Sequence, residues 1–230
     1  MSQSNTQPRR NEAVRVFAPE FNESTIEFQD PEEVETQGKQ TAPKYVLLPT
    51  GGRANRVLIA GTLTNTAQVS DNTIRARIVG EAGGTYFCYA SQQYSKEAYA
   101  DLQELDSPEF LMVVGKPNVY TTDSGETNVS IDPENVVAVE KATRDRCVAE
   151  TAAQTLDRLD ALENGDAPFQ AQVEEHYDYD YAELRAHVRE VVDSLSAEQA
   201  SQAESDEESS GSPEDVAVDD PEVDPEAAAT

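Results

Sequence analysis

The 230-residue chain lacks tryptophan and contains only two cysteines, two histidines and two methionines. Cys88 and Cys147 are far apart and no CxxC pair occurs, which argues against a Cys/His zinc site and against a disulfide framework. No apolar run approaches the about 18 residues of a membrane span, and residues 1–10 have no signal-peptide core. We therefore expect a soluble cytoplasmic protein with reduced cysteines and no membrane partner.

Basic residues are scarce: 17 Lys and Arg face 45 Asp and Glu, for a formal charge of −28. The acid is spread along the chain, and after Leu195 no Lys, Arg or aromatic residue occurs at all. This balance is typical of proteins from a salt-loaded cytoplasm, and it opposes binding to phosphate. At molar salt the Debye length falls to about 3 Å, so any such binding would depend on stacking and on short-range arginine contacts.

Motifs of catalysis are also missing. The sequence contains no GxSxG, Walker or HExxH pattern, and neither histidine has a catalytic motif around it. His176, Asp178 and Asp180 lie close together, but they alternate with tyrosines, which is typical of a solvated edge or a docking segment rather than a cation site. We predict that the protein is not an enzyme and has no cofactor and no metal ligands.

Shifts in composition divide the chain into five segments. Residues 1–42 form an N-terminal segment and linker, of which Ala13–Phe28 is expected to dock onto the main domain. Residues 43–140 form this main domain, and 141–163 an amphipathic interaction helix. Residues 164–195 are an acidic linker with a short helix, Tyr181–Leu195, and residues 196–230 are a disordered acidic tail.

The main domain is rich in β-branched and aromatic runs that Gly, Asn, Asp and Pro separate. The predicted strands are a lead-in at Tyr45–Leu48, then Val57–Asn65, Thr73–Val79, Thr85–Ala90, Phe110–Tyr120 and Val129–Glu140. A helix is predicted at Ser95–Leu105, between the third and fourth of the five main strands. Three strands, a helix and two strands are what a five-stranded OB-fold barrel needs. The expected fold is mainly β, a single such barrel followed by C-terminal helices.

Strand alternation assigns faces to the second and third strands. With Ile74, Ala76 and Ile78 inward, Arg75 and Arg77 point outward, and Phe87 and Tyr89 do the same across the turn. OB folds bind oligonucleotides on this surface, where bases stack on rings and cations hold phosphates. Ordinary packing of the two rings is the competing interpretation, and a slip of one residue would exchange the faces. Further candidates at the border of the groove are Arg53, Arg56, Lys116 and Tyr120.

The predicted helix Ala142–Glu163 has an apolar stripe at spacings of three and four. One helix cannot bury such a stripe alone, so it must pack on the barrel or on another chain. The residues proposed to bind a partner are Val148, Leu156, Leu159 and Leu162.

Several of these segments resemble the replication protein A-associated proteins of halophilic archaea. They are Val16–Asn22, Val57–Leu63, Ile74–Arg77, Gly84–Ala90, Phe110–Pro117, Ser130–Glu134 and Thr143–Arg146. The resemblance covers about residues 13–163. It implies an OB-fold partner of a larger replication protein A subunit, similar to the middle subunit of the eukaryotic heterotrimer. Such a protein protects single-stranded DNA in replication and repair, and joins its complex through the helix after the barrel.

These features support two hypotheses. In the first, the chain is an accessory subunit of a hetero-oligomeric archaeal replication protein A and binds single-stranded DNA through its OB fold. In the alternative, it is a structural adaptor that contacts only the larger subunit and leaves DNA to that partner. A preference for RNA stays open, because stacking does not distinguish the sugars unless a 2′-hydroxyl contact exists.

Overall fold

The computed structural model of the chain describes residues 11–210. Of these, residues 11–195 belong to one compact unit and residues 196–210 to a second. In chain order the elements are β1 (Val14–Arg15), α1 (Ala18–Asn22), β2 (Ile26–Gln29), α2 (Pro31–Gln37), β3 (Lys44–Leu47), β4 (Arg53–Ala54), β5 (Val57–Ser70), β6 (Thr73–Val79), β7 (Thr85–Ser91), α3 (Lys96–Glu104), β8 (Glu109–Thr121), β9 (Thr127–Ala138), α4 (Lys141–Glu163), α5 (Gln170–His176) and α6 (Tyr181–Ser210). The fold is mainly β in its centre and helical after it.

The main sheet closes on itself. β5 pairs with β6 and β6 with β7, all antiparallel, and β7 is joined to β9 in parallel. β9 then pairs with β8, and β8 returns to β5, both antiparallel. The predicted order of three strands, a helix and two strands is confirmed, with α3 packed against β9, β7 and β6. The sheet has six strands rather than the five predicted, because β1 adds to β5 in parallel.

Strand β5 is longer than predicted because it serves two neighbours. Its first half pairs with β8 from Val57 to Leu63, and its second half pairs with β6 from Thr62 to Ser70. The sequence predicts its end at Asn65, and the strand residues beyond Asn65 are partly or fully exposed. Backbone pairing with β6, rather than burial of side chains, extends the strand.

The core lies inside the closed sheet. Its largest fully buried side chains on the sheet are Ile59, Leu63, Ile78, Tyr86, Leu111 and Ile131. Fully burying an aliphatic side chain of this size is worth about 1.5–3 kcal/mol, so this cluster is a principal source of stability. Tyr86 also donates its hydroxyl to the Val16 carbonyl at 2.8 Å and thereby ties the N-terminal segment to the sheet.

The N-terminal segment docks as predicted, with Phe17 and Phe21 almost fully buried. Glu20 is likewise buried, and it receives hydrogen bonds from Thr50 and from the Arg158 guanidinium, whose Nη2 lies 2.8 Å from its carboxylate. A buried charge of this kind is tolerated only when it is paired. This contact links α1, the loop after β3 and α4.

Residues 29–42 do not form the plain linker that the sequence predicts. Asp30 accepts a hydrogen bond from the Glu32 amide and so caps helix α2, which Pro31 begins. The flanking strands β2 and β3 pair antiparallel, and β3 pairs with β4, in a second sheet of three strands. The helix was missed because it is short and acidic, with no buried residue to give it an apolar period.

The apolar stripe of α4 is covered within the chain, which corrects its assignment as a partner surface. Val148 and Leu159 are each 2% exposed, Leu162 is 8% exposed, and Leu156 is partly buried. The side chains that pack with this stripe come from β5, β8, α5 and α6, and include Leu58, Met112, Val173, Leu184 and Val188. These leucines and Val148 are therefore not available to a second chain in this fold.

Helix α6 continues to Ser210, beyond the end that the sequence predicts at Leu195. The predicted disorder of residues 196–230 therefore does not hold for 196–210, and residues 211–230 lie outside the described part of the chain. The misjudged portion has almost no apolar residue, so its helix has no periodicity to detect. In the described part of the chain, no helix combines the length and apolar character of a membrane span.

Candidate nucleic-acid interface

The hairpin of β6 and β7 presents two arginines and two aromatic rings on its outer face. The predicted register is found: Ile74, Ala76 and Ile78 are buried, as are Tyr86, Cys88 and Ala90. The intervening side chains pair directly across the strands, Arg75 with Tyr89 and Arg77 with Phe87. Each arginine therefore has an aromatic residue as its cross-strand neighbour.

The same face continues onto β9 and β8. The inward-facing Cys88 of β7 is aligned with Ile131 of β9, and Ile131 is aligned with Pro117 of β8. The adjacent residues Tyr89, Asp132 and Lys116 therefore lie side by side at outward positions. This alignment gives one transverse row of four side chains over the sheet, Arg75, Tyr89, Asp132 and Lys116. We call the set made by this row together with Arg77, Phe87 and Tyr120 the outer face.

The rings of the outer face are accessible to solvent. Phe87 and Tyr89 are partly exposed, and Tyr120 is 38% exposed. Burial raises the pKa of Tyr120, and the adjacent Tyr89 hydroxyl adds to the rise, so these two residues lie together. The Arg75 guanidinium sits 5.7 Å from the centre of the Phe87 ring, within cation–π range. Partly exposed rings held in this way offer surfaces on which bases can stack.

Arg75 and Arg77 carry charges that no carboxylate of the described residues neutralises. Within residues 11–210, Arg77 donates only to the hydroxyls of Thr64 and Thr85, at 3.0 and 3.2 Å. The buried Nε of Arg75 has no hydrogen-bond partner within residues 11–210. Most other arginines of the chain are ion-paired, namely Arg15, Arg53, Arg56, Arg144, Arg158 and Arg185.

Lys116 and Arg56 lie at the β8–β9 side of the outer face. Lys116 is exposed, with its Nζ 4.0 Å from a Glu134 carboxylate oxygen. Arg56 binds the same carboxylate through two hydrogen bonds, of 2.5 and 2.8 Å. This bidentate pair neutralises Arg56 and holds it in place, so the structure brings Arg56 near the predicted site but not as a free cation.

Arg53 is not brought to the outer face. It lies on β4 in the second sheet, where its guanidinium pairs with Asp30 at 2.6 Å and stacks 4.2 Å from the centre of the Tyr45 ring. Its proximity to β5 in sequence suggested a border position, but the second sheet turns it to a different set of neighbours. Arg53 therefore acts as a tie between α2 and the second sheet.

Asp132 is the member of the outer face that the sequence did not reveal. It alternates with the buried Ile131 and Pro133, which a pattern search would detect, and it stands directly opposite Lys116. What the sequence does not supply is the parallel register of β9 beside β7. Within residues 11–210 no group of three or more His, Cys, Asp or Glu side chains is arranged to hold a metal ion.

The chain matches no protein-family model and no curated protein. Solved structures similar to it include a chain of the S. pombe Stn1–Ten1 complex, at 10% identity and a TM-score of 0.38, covering 58% of this chain and 85% of that one. The mitochondrial single-stranded DNA binding protein Rim1 of S. cerevisiae gives 11% identity and a TM-score of 0.30, covering 37% and 94%. An OBody bound to hen egg-white lysozyme gives 16% identity and a TM-score of 0.33, covering 37% of this chain and 81% of that one.

Proposed function

We propose that the closed sheet is an OB barrel that binds single-stranded nucleic acid on its outer face. The observation that carries this proposal is the pairing of two arginines, both without a carboxylate partner in the described chain, with two partly exposed rings across β6 and β7. Rings supply stacking surfaces for bases, and guanidinium groups supply donors for phosphate oxygens.

The strength of this binding rests on short-range contacts. Stacking is worth about 1–3 kcal/mol per base, so two rings supply about 2–6 kcal/mol. The formal charge of −28 opposes a polyanion, but at about 1 M salt a Debye length of about 3 Å screens this repulsion. Two or three cations at phosphates give a modest salt dependence, with log K falling by about 0.7 per phosphate for each tenfold rise in salt.

In its finer form, the proposal is that the chain is an accessory subunit of an archaeal replication protein A and acts in replication and repair at high salt. The motifs of residues 13–163 that resemble the halophilic family support this assignment. A cytoplasmic location and the lack of enzymatic activity belong to the same proposal. Since the stripe of α4 is covered, contact with a larger subunit has to use another surface.

The alternative, a structural adaptor that leaves DNA to its partner, depended on the acidic net charge and on that stripe. Its residues pack against β5, β8 and α6 instead, so the adaptor loses the surface that suggested it. The surface proposed to bind nucleic acid is accessible, because the side chains of the outer face are partly or fully exposed.

The test is the affinity of the purified chain for fluorescent oligo-dT, measured by anisotropy in 1–3 M KCl. Replacing both Phe87 and Tyr89 by Ala is expected to weaken binding by about 30-fold or more. Tyr94→Ala is the matched control, since Tyr94 is 85% exposed in the turn after β7 and outside the outer face. Unchanged affinity of a folded double variant would remove these rings from the site.

A charge series separates phosphate contacts from general electrostatics. Arg75→Ala and Arg77→Ala are each expected to reduce the salt slope by about 0.7, because each removes one phosphate contact. Arg146→Ala makes the same charge change on an exposed position of α4 and is expected to leave the slope unchanged. Equal effects of all three would mean that only net charge matters.

A further inference from the structure

The negative charge of Asp132 is not expected on a surface that binds only phosphates. It stands in the transverse row between Tyr89 on β7 and Lys116 on β8, and therefore in the middle of the outer face. A carboxylate there repels a phosphate backbone, and in a site built for phosphate alone it would weaken binding. Its position instead suits a group that a carboxylate attracts.

The Asp132 carboxylate is available for such a group. Within residues 11–210 it makes no ion pair and no side-chain hydrogen bond, and the residue is exposed between two buried neighbours. Lys116, directly opposite, lies 4.0 Å from Glu134 instead. Partial enclosure by the sheet raises the pKa of Asp132, and Lys116 opposes this rise. An exposed, ionised carboxylate of this kind forms charge-assisted hydrogen bonds with donors that reach it.

We infer that Asp132 reads the edge of a base that stacks beside Tyr89, and that it selects bases carrying an exocyclic amino group over thymine. This inference rests on the proposed function and names its preferred substrate. The amino group of cytosine donates to a carboxylate, a recognised pairing in base readout. Thymine offers only a ring N–H flanked by two carbonyl oxygens, which the carboxylate repels. The preferred ligand is therefore single-stranded DNA rich in cytosine rather than in thymine.

Oligo-dC and oligo-dT of equal length isolate the amino group, because both are pyrimidines with the same backbone. Affinities are measured by anisotropy in 1 M KCl at pH 8, where cytosine is not protonated. The wild-type chain is expected to prefer oligo-dC by about 5-fold or more, of the order that one charged hydrogen bond supplies. Asp132→Asn is expected to bring the ratio of the two affinities close to one, mainly by strengthening the binding of oligo-dT.

Asp101→Asn is the matched control, since it removes one negative charge from an exposed position on α3. It is expected to leave the ratio unchanged. A wild-type ratio near one that Asp132→Asn does not alter, with both oligonucleotides bound, would overturn this inference and leave the proposed function standing. Failure to bind either oligonucleotide would overturn both. An equal shift of the ratio in the two variants would show that charge alone is responsible, and would also overturn it.

Discussion

Replacement of Leu159 by Ala tests whether α4 is part of the core or a docking helix. Leu159 is 2% exposed and packs in one cluster with Leu184 and Val188 of α6. Removing its side-chain carbons loses about 2.4 kcal/mol of transfer free energy, and the cavity left behind adds to this. Leu159 also borders an open cavity between α4, α5 and α6, where packing is incomplete. We therefore expect a loss of about 3 kcal/mol, near the lower end for buried leucines.

The assays are urea unfolding and thermal unfolding at high salt, both followed by circular dichroism. A loss of about 3 kcal/mol lowers the melting temperature by about 6–12 °C for a chain of this size. Gln154→Ala, at an exposed position of the same helix, is expected to change stability by less than about 0.5 kcal/mol. If the two variants were equally stable, α6 would not cover the stripe, and the assignment of Leu159 to a partner surface would return.

Two further predictions concern the hydroxyl of a partly buried tyrosine and a close approach to the backbone. Burial raises the pKa of Tyr177 to about 12, and its protonated hydroxyl donates to the Leu47 carbonyl at 2.7 Å. The protonated hydroxyl contributes fully to the free energy of unfolding below about pH 10, and this contribution is lost as the pH rises through about 12. In urea titrations across this pH range, Tyr177→Phe should therefore show a smaller fall in the unfolding free energy than the wild-type chain. A Cβ at Gly115 would lie 2.6 Å from the Asp132 carbonyl oxygen, whereas at Gly52 its nearest neighbour is the Cδ atom of Arg158 at 3.2 Å. Gly115→Ala should therefore lower the melting temperature more than Gly52→Ala, and equal melting temperatures would contradict the close approach.

The strands of the main sheet were predictable because local alternation encodes their faces. In β6 and β7 apolar residues and the buried Tyr86 occupy the inward positions, and the outward positions between them carry the two arginines and the other two rings. The placement of Arg75, Arg77, Phe87 and Tyr89 therefore results from a period of two. The helix between β7 and β8 was predictable for a similar reason, since its apolar residues have a helical period and Ser95 precedes its first residue.

Pairing between distant segments was not predictable from these patterns. The position of Asp132 beside Tyr89 depends on the register of β9 against β7, which nothing local in either strand specifies. The second half of β5 is polar, so only its pairing with β6 identifies it as a strand. The stripe of α4 shows the same limit, because amphipathic spacing requires a covering surface without saying which chain provides it.

The acidic composition of the chain makes the two unpaired arginines of the outer face unusual. Acidic residues outnumber basic ones by 45 to 17, so there are enough carboxylates for every arginine to form an ion pair. Six of the ten arginines within residues 11–210 are paired in this way, but Arg75 and Arg77 donate to hydroxyls or lie over a ring instead. Two other arginines without a carboxylate partner in the described residues, Arg146 and Arg189, lie on helices α4 and α6. A strongly acidic protein that keeps two adjacent arginines away from its own carboxylates leaves them ready for an anion from outside, and the rings beside them favour an anion that carries bases.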